Sequence, residues 1–260
     1  MDSYSAFSKW YDEFMEEVPY DEWCEFICGL LKKDGIEDGI ICELGSGTGN
    51  MTERMALKGY DMIGIDLSPE MLAVAEQKKA LSGDESVEKI LYLCQDMRDL
   101  ELFGTVAAVY SSFDSVNYIL EDDEIIETFR LVNNYLDPKG LFIFDFNTKL
   151  NYMNLADSPA GSDVIGDVTY VWNNCFDEES LINEHELTMF VPEEGEENLY
   201  RKYSEFHYQR GYTLEEIKEF IKESGMIFEA AFDGYEFGEA TEESTRIFVV
   251  ARESGKKFYG

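Results

Sequence analysis

Apolar and polar positions divide this chain of 260 residues into distinct stretches. Short apolar runs at 40–44, 62–65, 90–94, 106–110 and 141–146 read as buried strands. Between them, residues 48–57, 70–79 and 122–136 are helix-compatible. Strand and helix in strict alternation predict a parallel sheet with right-handed crossovers and helices on both faces. The punctuation agrees. Ser68-Pro69-Glu70 is a helix start, with serine as N-cap and proline in the first turn, and Asp137-Pro138-Lys139-Gly140 predicts a stop before the fifth strand.

Beyond residue 147 the pattern changes. Three β-like stretches at 168–176, 181–191 and 199–208 are joined by acidic turn segments at 177–180 and 192–198. They predict an antiparallel ribbon inserted after the fifth strand. A helix follows at 213–224, with Thr213 as N-cap, Glu216 completing a capping box and Gly225 at the end. Strands at 227–232 and 244–251 then complete the sheet. The predicted fold is α/β, a Rossmann-like seven-stranded mostly parallel sheet with an antiparallel β insertion. No repeat, low-complexity tract or linker divides it, so residues 1–260 read as a single domain.

Composition narrows the function. With 45% apolar and 14% aromatic residues the chain can bury a full core, which removes disorder from consideration. Against 21 bases stand 55 acids, a net charge of −34. Phosphate backbones and anionic lipid surfaces repel such a chain, so nucleic-acid and membrane partners are disfavoured. Cys24, Cys28, Cys42, Cys94 and Cys175 are odd in number and scattered, with no metal-ligand spacing. Free thiols, no membrane-length apolar run and no leader pattern at the N-terminus make a cytoplasmic protein the expectation.

The most informative residues are Glu43-Leu44-Gly45-Ser46-Gly47-Thr48-Gly49, set between the first strand and the first crossover helix. Glycine there lets a backbone approach a nucleotide-like ligand. A dinucleotide turn wants Gly-x-Gly-x-x-Gly. Here the third glycine comes one place early and Glu43 stands ahead of the first, so a dehydrogenase ranks last. Parallel sheets bind ligands beyond the carboxyl ends of their strands. At those ends stand Glu43, Asp66, Asp96, then Ser111-Ser112-Phe113-Asp114, then Asp145-Phe146-Asn147. Asp66 can accept hydrogen bonds from both hydroxyls of a ribose, and Asp96 from an adenine amino group while Met97 packs on the ring. Singly, Asp66 is also a turn former and Asp96 a cap for the helix that follows. Together the acids make a site.

These motifs resemble class I S-adenosylmethionine-dependent methyltransferases of the small-molecule type. The resemblance rests on the glycine turn, on Gly64-Ile65-Asp66-Leu67-Ser68-Pro69-Glu70-Met71-Leu72, on Gln95-Asp96-Met97-Arg98 and on 136–145. The opening Tyr4-x-x-Phe7-x-x-x-Tyr11-Asp12 is also similar to the family's N-terminal helix. It implies a helical lid over 1–35, a core over 36–150 and 211–252, and a substrate cap over 151–210. S-adenosyl-L-methionine is then the methyl donor and S-adenosyl-L-homocysteine the product. Gly45, Ser46 and Gly47 would line its methionine and ribose, with Glu43 nearby. Asp66 would hold the ribose hydroxyls, Leu67, Met71 and Met97 would flank the adenine, and Asp96 would bind its amino group. Ser111 and Phe113 would sit near the sulfonium.

Tyr11, Tyr20 and Trp23 are read as an aromatic wall facing the sulfonium through cation–π contact, or else as helix packing. His207 and Tyr11 are the candidate catalytic groups. His207 and His185 lie on the ribbon, where each faces the pocket or is an ordinary cross-strand polar residue. The predicted activity is methyl transfer to an N or O nucleophile of a small molecule. Two alternatives remain: a macromolecular acceptor, tRNA or protein, and a module that holds the donor without turnover.

Overall fold

A computed structural model of the protein describes residues 7–156, 160–193, 195 and 199–256. Its strands are β1 (Ile40–Leu44), β2 (Asp61–Asp66), β3 (Leu91–Cys94), β4 (Val106–Ser111), β5 (Leu136–Asn147), β6 (Ala160–Ile165), β7 (Val168–Asp177), β8 (Ile182–Pro192), β9 (Tyr200–Arg210), β10 (Ile227–Asp233) and β11 (Arg246–Arg252). Seven of them form one sheet in the order β10-β11-β5-β4-β1-β2-β3, and β6-β7-β8-β9 form a second. The first five are mutually parallel, while β11 runs antiparallel to both β5 and β10. β1 lies between β2 and β4, so the strand order reverses there and a crevice opens beyond its carboxyl end.

Helices cover both faces because each central strand is apolar on both. They are α1 (Tyr11–Phe14), α2 (Tyr20–Lys33), α3 (Asn50–Leu57), α4 (Pro69–Ser82), α5 (Glu85–Glu88), α6 (Asp122–Tyr135), α7 (Lys149–Ala156) and α8 (Leu214–Glu223). Ile41, Tyr110, Ile143 and Val250 pack with Ile27 and Leu31 of α2 and Met55 of α3. Their strand neighbours Cys42, Val109, Phe144 and Val249 pack with Phe129 of α6 and Ile221 of α8 on the other side. This is the period-two alternation of a pleat buried on both sides. Among the described residues no helix is long and apolar enough to cross a membrane.

The punctuation works locally as the residues dictate. Ser68 accepts the Met71 amide at 3.2 Å and Pro69 opens α4. Thr213 and Glu216 form the reciprocal capping box of α8. One stop signal is corrected. β5 begins at Leu136, before the Asp137-Pro138-Lys139-Gly140 turn. The turn is absorbed as an irregularity, the register slipping from Val106↔Leu136 to Ala108↔Leu141 while Lys139 takes φ 67°.

The insertion is also larger than its apolar pattern predicts: it has four strands, not three. Edge strand β6 is exposed along almost its whole length, so pairing with β7 rather than burial forms it, and it carries no alternating signal. Helix α7 buries only Tyr152 and lacks a stripe. Against this second sheet lies the N-terminal segment: Phe7 packs with Val168, Leu187 and Met189, and the Phe14 ring meets that of Tyr170 at a tilt, centroids 4.7 Å apart. α2, by contrast, is a layer of the main core. Tyr4, the first residue of the N-terminal motif, lies outside the described residues.

Gly64 at the middle of β2 tests how tightly the sheet is filled under the glycine turn. A Cβ there would stand 2.7 Å from the Tyr92 ring and 3.1 Å from Ser46 Cβ. Gly64→Ala should therefore destabilise by about 1–3 kcal/mol through overpacking, read as a lower denaturant midpoint at unchanged slope. A wild-type midpoint would show that Tyr92 moves aside freely.

Candidate active site

The site begins where β1 ends. The amides of Gly45 and Ser46 both donate to the Ile65 carbonyl of β2, at 2.8 and 2.9 Å, which folds the glycine turn over the neighbouring strand. Gly45 has φ 75°, and a Cβ would run into the Ser115 side chain, so glycine is required twice over. Asp66 at the tip of β2 ties the turn to the next helix: Oδ2 accepts from the Gly47 amide at 2.7 Å and Oδ1 from the Ser68 amide at 2.8 Å. Burial pushes its carboxyl up, and these backbone donors pull it back. Each oxygen keeps a second lone pair for a ligand.

Glu43 is almost wholly buried beneath the turn. Its Oε2 accepts from the Thr52 and Tyr110 hydroxyls, the latter at 2.8 Å, and Oε1 from Ser112 at 3.4 Å. Burial still wins, pushing the carboxyl up to about 8 against the pull of those three donors. A cation brought beside it would reverse the balance. Next to it the Ser46 hydroxyl is buried without a hydrogen-bond partner among the described residues, an uncommon cost that a ligand atom removes.

A cavity of about 640 Å³ lies over these groups. It gathers Tyr11, Tyr20, Glu43, Gly45, Ser46, Gly47, Asp66, Leu67, Met71, Asp96, Met97 and Phe113. These are twelve of the residues singled out from the sequence, brought together from the N-terminal segment and four strand ends. Asp96 caps the short turn after β3, accepting the Arg98 amide at 2.9 Å, and pairs with the Arg98 guanidinium at 2.6 Å, which holds its carboxyl down. Leu67 is 64% exposed, an apolar side chain left for something to cover.

The other sequence candidates lie elsewhere. Trp23 stacks on Tyr235, ring centroids 3.8 Å apart and nearly coplanar, and backs Phe113 at 4.5 Å. The aromatic side of the cavity is thus Tyr11, Tyr20 and Phe113, with Trp23 behind it. Ser111 is buried in β4, its hydroxyl donating to the Leu44 carbonyl at 3.0 Å. His185 is held by Asn183 and Gln209, both at 2.8 Å, and burial pushes it down to about 4. His207 does not line the cavity but meets one residue that does: its Nδ1 is 3.3 Å from the Tyr118 hydroxyl.

Several site contacts carried no sequence signal. Asp12 accepts from Thr48 (2.5 Å), Asn50 (2.9 Å) and Lys78 (3.0 Å), pinning the N-terminal segment to the glycine turn and to α4. Tyr118 and Ser115 reach the cavity from an irregular loop that opens with Phe113 and Asp114 at φ 61° and 51°. Non-glycine residues resist that conformation. Asp114 is held in it by Arg246 and Gln209, both at 2.6 Å, and Arg246 also pairs with the buried Asp145. Asp12 belongs to the N-terminal motif, but nothing local says what it will pin, and a lone Arg246 in the sequence looks like any surface charge.

Similarity to known proteins follows this geometry. A family model described as a methyltransferase domain matches residues 41–140. YqeM of Bacillus subtilis (strain 168), a protein named as a methyltransferase, is 34% identical over 96% of this chain and 97% of its own. A dTDP-3-amino-3,4,6-trideoxy-alpha-D-glucopyranose N,N-dimethyltransferase of Streptomyces venezuelae is 26% identical over 46% of this chain and 47% of its own. Among solved structures, an S-adenosylmethionine-dependent methyltransferase from Clostridium acetobutylicum ATCC 824 superposes with a TM-score of 0.84 at 27% identity, covering 97% of this chain and 99% of that one.

Glu43 makes the ligand-free protein pH-sensitive. Unfolded, its carboxyl ionises near 4.5; folded, near 8. The folded state therefore holds the proton more tightly, so this contribution is complete below about 4.5 and lost as pH rises through about 8. Glu43→Gln should flatten that decline, by up to about 4–5 kcal/mol, in denaturant titrations across the window. Parallel pH profiles for the two proteins would show that Glu43 is ionised when folded.

Proposed function

This chain belongs to the S-adenosylmethionine-dependent methyltransferases, and from that membership we propose that it methylates an N or O nucleophile of a small molecule. The observation that carries the reading is the size of the cavity and the N-terminal segment along its edge. At about 640 Å³ it has the size of a small-molecule site, and the N-terminal segment that bounds it is pinned by Asp12. A polymer needs an open groove, and with a charge of −34 it also needs a basic one. The Streptomyces relative, named for methylating an amino sugar nucleotide, supports an amine-bearing metabolite as acceptor.

The residues present fit the donor. When bound, the donor supplies an electrophilic methyl group on a sulfonium. Glu43, pushed up by burial and ringed by hydroxyls, is built to meet its ammonium, and the partnerless Ser46 hydroxyl gains an acceptor. Asp66 offers its free lone pairs to the ribose, Leu67 and Met97 offer apolar faces to the adenine, and Asp96 offers an oxygen to the exocyclic amine. Tyr11, Tyr20 and Phe113 line the cavity as the aromatic groups to meet the reacting end, where such rings attract a sulfonium and exclude water. Little more is required of the protein than alignment, worth at best roughly 7–11 kcal/mol of the barrier. The second sheet and the segment packed on it act as the substrate cap.

Calorimetry with S-adenosyl-L-methionine and S-adenosyl-L-homocysteine should give saturable binding, weakened about 10- to 100-fold in Asp66→Ala because ribose hydroxyls lose a buried partner. Incubating the protein and an isotopically labelled donor with a fractionated cell extract should put label in the low-molecular-weight fraction. Label confined to RNA or protein would replace this reading with a macromolecular one.

A further inference from the structure

Behind the cavity wall, side chains from the turn after β4 and from β9 form a line. Tyr118 ends the turn Ser115–Tyr118 and lines the cavity. Its hydroxyl lies 3.3 Å from His207 Nδ1 on β9. On the far side of that ring, His207 Nε2 lies 3.7 Å from Glu205 Oε2, two residues along the same strand face. Both His207 and Glu205 are buried, at 3% and 6% exposure. Glu205 is itself oriented, because its Oε1 accepts the Phe7 amide at 3.0 Å from the N-terminal segment. Burying a carboxylate and an imidazole side by side is costly unless they serve one another.

Resting on the small-molecule reading above, we infer that Tyr118 is the catalytic group that receives the acceptor's proton, with His207 and Glu205 as the positioning residues that draw that proton onward. The step balances as follows. The acceptor's oxygen or nitrogen forms a bond to the methyl carbon, and the carbon–sulfur bond breaks with its electron pair remaining on sulfur. The proton on the attacking atom passes to the Tyr118 oxygen while the Tyr118 proton passes to His207 Nδ1. The resulting imidazolium keeps its Nε2 proton toward Glu205, whose carboxylate offsets the charge. This requires neutral His207 to carry its proton on Nε2 before reaction, the tautomer in which Nδ1 accepts from the Tyr118 hydroxyl and Nε2–H faces Glu205.

The surroundings permit it. Opposite His207 on β8 is His185, the cross-strand partner in register, which burial holds neutral, so an imidazolium on His207 meets no second positive ring. Beside Tyr118 stands the Asp114–Arg246–Gln209 clamp that fixes its loop, and it adds no unpaired cation. The chemistry selects the acceptor class. A hydroxyl, or a neutral primary or secondary amine, carries on its attacking atom a proton that must leave as the methyl group is gained, and the line has a purpose only for these. A neutral tertiary amine or a thioether has none to lose.

The chain has only two histidines, so the ring nitrogens can be resolved by ¹⁵N spectroscopy of the intact protein. His207 should show the Nε2-protonated tautomer, and Glu205→Gln should shift its population. His207 carrying its proton on Nδ1 would overturn the inference, whatever the acceptor. With an acceptor in hand, Tyr118→Phe and His207→Asn should each lower kcat about 10²- to 10⁴-fold with unchanged donor affinity. Raising the pH should restore much of that loss, as the acceptor comes to ionise unaided. Unchanged kcat and pH dependence in both variants would overturn the relay and leave methyl transfer to a small molecule standing. If the wild type labels only macromolecules, the earlier reading fails, and the ring tautomer still decides the relay.

Discussion

Everything at the site hangs from the junction between β1 and β2. Two consecutive amides, of Gly45 and Ser46, share one carbonyl, that of Ile65, and Asp66 then takes the Gly47 amide. Those bonds place the glycine turn over the second strand and leave Glu43 sealed below it and Ser46 beside it. A turn that close tolerates no Cβ at Gly45, and the space beneath is already filled by Tyr92 packed on Gly64. The floor of the cavity is therefore rigid.

Rigidity on the floor contrasts with assembly on the walls. The far wall is built from parts distant in sequence: the N-terminal segment, held by Asp12 against the turn and by Phe7 and Phe14 against the second sheet, and the loop carrying Phe113 to Tyr118. That loop starts in a conformation non-glycine residues avoid, and Arg246, Gln209 and Asp145 hold it there. The glycine-turn side of the cavity thus rests on backbone geometry, while the opposite wall rests on side-chain contacts.

The donor side was legible in the sequence for a physical reason. Strand ends, glycine spacing and the acids Glu43, Asp66 and Asp96 are local features, and parallel-sheet topology brings consecutive strand ends to one edge. Nine of the twelve candidates in the cavity lie at or just after strand ends on that account, and Tyr11, Tyr20 and Met71 come from helices. Trp23 and Ser111 pack one layer behind the lining, because Trp23 stacks on Tyr235 and the Ser111 hydroxyl is taken by the Leu44 carbonyl. β6 and α7 were illegible, since neither buries an apolar stripe.

By itself, then, the sequence determined the alternating α/β core, its seven strands, the glycine turn and the acids around it, all set by short-range pattern. Tertiary structure alone decided that the Asp137–Gly140 turn merges into β5, that Asp12 locks the N-terminal segment, and that Tyr118 meets His207 across 89 residues of chain. Contacts of that range depend on how whole elements dock. No spacing along the chain encodes them.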